Sequence, residues 1–198
     1  DVEEALRAGL VVRMGATVKF VHDRVHEAAY ALIPPGSRAS LHQSIGRKLM
    51  TGLSRKAMEE EVFDIVNQLN QATELIAQPK ERQTLGRLNF LAGKRAKASA
   101  AWASARSYLA QAAALSTQSD WRERYDETFD LHLELAECEY LIGAFDAADE
   151  LFKLLSERGR SNRDRVRTYR LRVRLYPVAG RYGDAVETAI EGLRLFGI

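Results

Sequence analysis

Gly143-Ala144-Phe145-Asp146-Ala147-Ala148 and Gly180-Arg181-Tyr182-Gly183-Asp184-Ala185 are two copies of one pattern. Each sets a glycine at a tight turn, an aromatic two residues on, and an alanine three residues further. Phe152 and Ala189 correspond four residues beyond the alanine, and Leu155 and Gly192 three beyond those. Trp102, Ala105, Leu109 and Ala112 form a weaker third copy, so the steps along the chain are 43 and 37 residues. The glycine lets two antiparallel helices reverse within a few residues. The alanine lets their backbones approach, and the aromatic and later apolar residues fill the groove toward the next hairpin. A chain written this way is predicted to be all-α, a stack of helix hairpins.

Outward from these copies, helical periodicity reaches back almost to the start. Apolar spacing predicts helices over residues 22–32, 37–53, 59–72, 79–99, 101–116, 121–142, 144–158, 163–179 and 182–196. Val25, Ala28, Ala29 and Leu32 share a face of the first, and Leu41, Ile45, Leu49 and Leu53 a face of the second. Val62, Ile65, Val66 and Leu69 mark the third, and Pro79 suits the first turn of the fourth. Before residue 22 the period changes. Residues 1–9 read as the end of a helix with Gly9 at its C-terminal cap. Leu10-Val11-Val12-Arg13 and Thr17-Val18-Lys19-Phe20-Val21, separated by Met14-Gly15-Ala16, predict a short β-hairpin.

Composition supports a soluble helical protein. Of 198 residues, 46% are hydrophobic and 28% charged, and only four are proline. A net charge of +2 gives no general argument for nucleic acid or membrane binding. No run approaches the roughly 18 apolar residues of a membrane span, and no signal peptide is evident. The single cysteine, Cys138, fits a reducing compartment and lies in an apolar helical pattern, so it is read as a small core residue. The chain opens at Asp1 inside a helical pattern and closes at Ile198 just after a helix, which reads as a segment of a larger cytoplasmic protein.

Charge is segregated. Residues 120–139 hold eight acidic side chains against Arg122 and Arg124, and residues 158–174 hold eight arginines against Asp164. If these segments are first helices of adjacent hairpins, opposite charges favour the native register. Arg163, Arg167, Arg170 and Arg174 fall on one helical face and are the candidate interaction residues, toward an acidic partner; internal pairing with the acidic helix of the same chain, or a plain solvated face, is the favoured alternative.

Residues 87–198 resemble tetratricopeptide repeats, whose period is about 34; both steps here are longer. That resemblance implies a curved solenoid and protein–protein interaction. Phe20-Val21-His22-Asp23-Arg24-Val25-His26-Glu27-Ala28-Ala29-Tyr30, followed after Pro34-Pro35-Gly36 by Ser37-Arg38-Ala39-Ser40-Leu41-His42-Gln43-Ser44-Ile45-Gly46, is similar to the C-terminal end of an AAA/STAND-type signalling ATPase. There a winged helix precedes a phenylalanine-x-histidine element and an arginine-x-x-leucine-histidine helix. Phe63-Asp64-Ile65-Val66-Asn67-Gln68-Leu69-Asn70, Gly93-Lys94-Arg95-Ala96-Lys97, Glu134-Leu135-Ala136-Glu137 and Glu191-Gly192-Leu193 look like the corresponding region of large bacterial hybrid serine/threonine kinase–sensor histidine kinases. The resemblance implies that residues 1–34 finish a winged-helix domain, with the β-hairpin as its wing. Residues 35–78 would be a helical connector and residues 79–198 the tetratricopeptide-like array.

By the same resemblance, Val21-His22-Asp23 stands where related ATPases carry methionine-histidine-aspartate. His22 would touch a phosphate of ADP held by an upstream domain, and Asp23 would orient it; alternatively either residue caps the helix. The chain has no Gly-x-x-x-x-Gly-Lys-Ser/Thr loop and no histidine-kinase motif, so it is expected to carry no active site and no nucleotide of its own. His22 and His26 have metal-ligand spacing but no third ligand, so no metal is expected. His42 is read as a hydrogen-bonded residue between helices and His132 as a surface or groove residue. Arg13 and Lys19 in the wing, and Lys94, Arg95 and Lys97 without an aromatic stacking partner, give no nucleic-acid signature.

These readings converge on a non-catalytic regulatory and protein-interaction segment of a bacterial signal-transduction ATPase within a two-component sensor histidine kinase. Its partner would be a protein or another domain of the parent chain, with no membrane insertion. The alternatives are the sensor arm of a STAND-type transcription activator and an independent helical-repeat scaffold.

Overall fold

A computed structural model describes residues 2–15, 17–194 and 197. Ala16 of the expected turn and the helix extension to Phe196 lie outside the described residues. Twelve α-helices and one two-stranded sheet are present among the described residues.

Helix α1 (Val2–Arg7) ends at Gly9, whose φ of +66° is open to glycine at no steric cost. Strands β1 (Val11–Met14) and β2 (Thr17–Phe20) pair antiparallel with Val11 opposite Phe20 and Arg13 opposite Val18. Helix α2 (Asp23–Ala31) follows, then α3 (Pro35–Met50) with proline in its first turn. The faces expected to be buried here are largely open. Leu32 is 84% exposed, and Leu41 and Ile45 are also exposed. Helix α3 instead meets α5 through Gly46, where an added Cβ would lie 2.4 Å from Leu69 Cδ2.

The expected helix over 59–72 is three pieces: α4 (Arg55–Glu60), α5 (Val62–Leu69) and a 3₁₀ segment, Asn70–Leu75. Val62, Ile65, Val66 and Leu69 are fully buried and, with Ile76, Leu85 and Leu88, form one core cluster.

Three hairpins complete the chain: α6 (Pro79–Ala98) with α7 (Trp102–Leu115), α9 (Tyr125–Leu141) with α10 (Phe145–Arg158), and α11 (Asn162–Leu175) with α12 (Tyr182–Arg194). Their turns are near-copies. Ala100, Gly143 and Gly180 have φ of +55°, +86° and +73°. The next N–H, of Ala101, Ala144 or Arg181, donates to the carbonyl of Ala96, Glu139 or Tyr176, each at 2.9 Å. Five residues past each turn Ala105, Ala148 and Ala185 are buried. Ala100 occupies the left-handed region that glycine holds in the other two, at a cost of about 1 kcal/mol.

Two expected helices are shorter than periodicity alone implies. The segment 121–142 breaks at Arg124 (φ −132°, ψ 46°), separating a short α8 (Asp120–Glu123) from α9. Arg124 grips Asp120 and Glu127, and the break folds Trp121 into the core of the second hairpin. The segment 163–179 leaves α-geometry after Leu175, because Pro177 has no N–H to continue the ladder and its ring crowds the preceding turn; residues Tyr176–Ala179 form a 3₁₀ turn.

Stacking joins the hairpins. Helix α9 packs on both α6 and α7, and α11 on both α9 and α10. Leu131, Leu135 and Cys138 of α9 bury Ala105, Leu109 and Ala112 of α7. Leu171 and Leu175 of α11 join Phe129, Phe152 and Leu155.

Candidate functional site: the charged layer of the hairpin stack

The first helices of the three hairpins alternate in charge, and ion pairs run between them. Lys97 of α6 contacts both Glu134 and Glu137 of α9. Arg87 meets Glu127 at 3.1 Å, and Arg106 of α7 meets Glu139 at 2.8 Å. On the opposite edge of α9, Asp130 pairs with Arg167 and Glu137 with Arg174 of α11. Glu137 is therefore a shared carboxylate between two basic helices, with its side chain 14% exposed. Burial opposes the charge on Lys97, but its bonds to Glu134 and Glu137 outweigh that and hold its pKa above the ordinary lysine value. Arg174 is 64% exposed, so its pair contributes little stability and is free to exchange partners.

The candidate arginines thus divide. Arg167 and Arg174 pair with the acidic helix, whereas Arg163 and Arg170 are exposed and have no ion pair among the described residues. Arg167, Arg170, Arg174, Leu133, Glu134 and Glu137 line a shallow groove between α9 and α11.

Asp164 anchors the start of α11. Its carboxylate accepts from the Ser161 N–H and hydroxyl, the Arg160 N–H and the Tyr125 hydroxyl, while Ser161 caps the helix in return. Burial works against its ionisation, but these four donors win and set its pKa below the usual carboxylate range. Ser161-Asn162-Arg163-Asp164 is a capping-box signal visible in sequence; periodicity alone missed it.

His132 is not a surface residue. It is 8% exposed, its Nδ1 donates to the Thr128 carbonyl at 2.8 Å, and its ring lies 4.8 Å from that of Trp121. Burial lowers its pKa against the opposing effect of that hydrogen bond. The break at Arg124, which no periodicity announces, is what brings Trp121 over it. Cys138 is fully buried, and burial pushes its thiol up to about 11, so it is a core group and not a nucleophile.

The second set of candidate residues lies apart from this layer. His22 precedes α2 with extended backbone (φ −139°, ψ 145°), and its imidazole makes no capping hydrogen bond. Asp23 is in the first helical turn, and both side chains are exposed. His26 contacts the Phe20 ring, and no group of three metal-ligating side chains occurs among the described residues. His42 does lie between helices: its Nδ1 donates to Gln68 Oε1 at 2.7 Å and its Nε2 accepts from the Tyr30 hydroxyl at 3.0 Å. The basic cluster of α6 is engaged internally, with Arg95 on the Glu59 carbonyl and Lys97 on α9. Lys94 does have an aromatic neighbour, the Phe90 ring, at 5.4 Å.

Among curated proteins, the chain is similar to hybrid signal transduction histidine kinase G of Dictyostelium discoideum, a eukaryote. The two are 29% identical over 203 residues, covering 90% of this chain and 6% of the length of that protein. No family model matches the chain, and no solved structure matches it significantly. No helix among the described residues is long and apolar enough to cross a membrane. The Dictyostelium relative is named for signal transduction, and this chain spans 6% of its length.

Proposed function

We propose that this chain is a non-catalytic regulatory and interaction segment of a signalling polypeptide of the hybrid sensor-kinase type, with residues 79–194 as a tetratricopeptide-like array. The observation that carries this is the threefold turn at Ala100, Gly143 and Gly180, which stacks three hairpins behind one charged layer. The likeness to a hybrid histidine kinase over 90% of the chain supports the signalling context. That relative is eukaryotic, so it lends nothing to a specifically bacterial origin.

In this proposal residues 1–34 complete a winged-helix domain and residues 35–78 connect it to the array. Tyr30, His42 and Gln68 bond across α2, α3 and α5, which supports mechanical coupling between the two. ADP would belong to a nucleotide-binding domain outside this chain. The fit on this side is partial: the His22 imidazole is not committed to capping and could donate to a phosphate, whereas the Asp23 carboxylate would repel one and could only orient the histidine. The array would transmit the resulting domain shift through its shared carboxylate, Glu137.

The test uses the native full-length polypeptide carrying His22→Ala or Glu137→Gln. Retained ADP is measured after purification, and autophosphorylation is followed in time. Loss of ADP in the first and altered phosphorylation with normal ADP in the second are expected. Unchanged ADP and phosphorylation in both would leave a plain scaffold as the better account.

A further inference from the structure

The groove between α11 and α12 is open; Val166, Tyr169, Val173, Ala189, Gly192 and Leu193 give it a mostly apolar lining, with Arg170 and Arg174 of α11 also on its wall. The two preceding hairpins have the same groove, and both are filled. One step of 37 residues back, Val166, Val173, Ala189 and Gly192 correspond to Phe129, Ala136, Phe152 and Leu155, which are buried with Leu171 and Leu175 of α11. A further step of 43 residues back, Leu109 and Ala112 lie with Leu131 and Leu135 of α9. In each case the occupant is the first helix of the following hairpin.

Helix α12 also departs from its counterpart. Tyr182, Val186, Ile190 and Leu193 are 66%, 60%, 45% and 49% exposed. At the last three positions α10 carries Asp149, Lys153 and Ser156. A solvated helix end would keep those polar side chains; α12 replaces all three with aliphatic ones, producing an apolar ridge beside the groove. Charge specifies the occupant further. Basic α6 is met by acidic α9, and acidic α9 by basic α11; Arg163, Arg165, Arg170 and Arg172 of α11 have no ion pair among the described residues, and of these Arg170 lines the groove, with Arg163 two turns before it on the same helical face.

We propose that the α11–α12 face docks a helix hairpin whose first helix is acidic. That helix seats in the groove with carboxylates toward Arg163 and Arg170, and the second covers the Val186–Ile190 ridge. The proposal rests on the hairpin-stacking part of the function above and is independent of its nucleotide part. The stacking interface already repeated twice is thereby continued a third time.

The probe is a helix hairpin bearing the α9 groove-facing side chains Leu131, Leu135 and Cys138 (as serine) and the acidic residues of α9, with helicity in isolation established by circular dichroism. Its binding to the 198-residue chain is followed by fluorescence anisotropy. Saturable one-to-one binding is expected, weakened at least ten-fold by Arg163→Glu with Arg170→Glu, and at least ten-fold by Val173→Asp, in variants whose circular dichroism is unchanged. Absence of binding at millimolar probe overturns the proposal, as does binding indifferent to both changes. Sedimentation showing the chain alone to be a dimer that Ile190→Asp dissociates assigns the face to a second copy and also overturns it. ADP retention is untouched by any of these outcomes, so failure here is distinct from failure of the nucleotide link.

Discussion

Residues 2–33 and residues 79–194 are built from equally regular elements, yet they bury their side chains differently. In the first region Val11 is the one buried side chain among the described residues, and Val12, Met14, Val18 and Phe20 remain exposed on a two-stranded ribbon. In the second, each hairpin covers the groove of the one before, and aromatic residues such as Phe129 and Tyr140 reach essentially zero exposure. Local hydrogen bonding and periodicity thus suffice to draw the elements, but an isolated β-ribbon or a single amphipathic helix is marginal in water. What separates the regions is whether the same chain supplies the covering layer.

The sharpest way to break this contrast is a paired truncation. Phe129→Ala empties a fully buried site and is expected to cost about 3–5 kcal/mol in denaturant unfolding, whereas Phe20→Ala, at 44% exposure, is expected to cost under about 1 kcal/mol. A comparable loss at Phe20 would mean that the N-terminal segment owns a core after all.

Next in size is the α11 anchor. Asp164→Asn removes the charge that four donors address and is expected to lower stability by about 1–3 kcal/mol at neutral pH. The carboxylate pKa is depressed on folding, so its contribution is complete above the unfolded value, about 3.9, and disappears as pH falls through the folded one. Wild type and variant should therefore converge in melting temperature on acidification below about pH 4. His132, whose folded pKa is lowered, binds its proton more readily when unfolded. It should erode stability already below about pH 6.5, an effect that His132→Gln removes.

The turns offer a smaller and more symmetric comparison. Gly143→Ala places a Cβ at φ +86° and should cost about 1–2 kcal/mol, while Ala100→Gly relieves the same strain and should stabilise or be neutral. If both changes destabilise equally, the three turns are not equivalent. Smallest of all, Cys138 should resist thiol reagents in the native state and react fully in denaturant, since its thiol is buried and its pKa lies near 11. Rapid native labelling would show that the α7–α9 contact opens readily.

Much of the candidate site was legible in the sequence. The acidic run 120–139 and the arginine run 158–174 announced α9 and α11 as partners, and Arg167 and Arg174 do pair with Asp130 and Glu137. The role of Glu137 as a carboxylate shared with Lys97 was not legible, because Lys97 is forty residues away and belongs to a different hairpin. His132 was misplaced for a related reason. On a straight helix it reads as groove or surface, and only the break at Arg124 lays Trp121 against it. The faces of α2 and α3 show the reverse failure: the spacing of Leu32, Leu41 and Ile45 announces burial that these neighbours do not provide.

By itself the sequence determined the all-helical class, the single β-ribbon and the hairpin turns. Helix periodicity, turn glycines and proline breaks act within a few residues of one another, and their physics is local. Only the tertiary structure decided which apolar faces are covered, which carboxylate bridges two helices and which groove stays open. Those outcomes depend on where distant helices come to rest, and the free energy of burial belongs to the pair of surfaces that meet rather than to either segment alone.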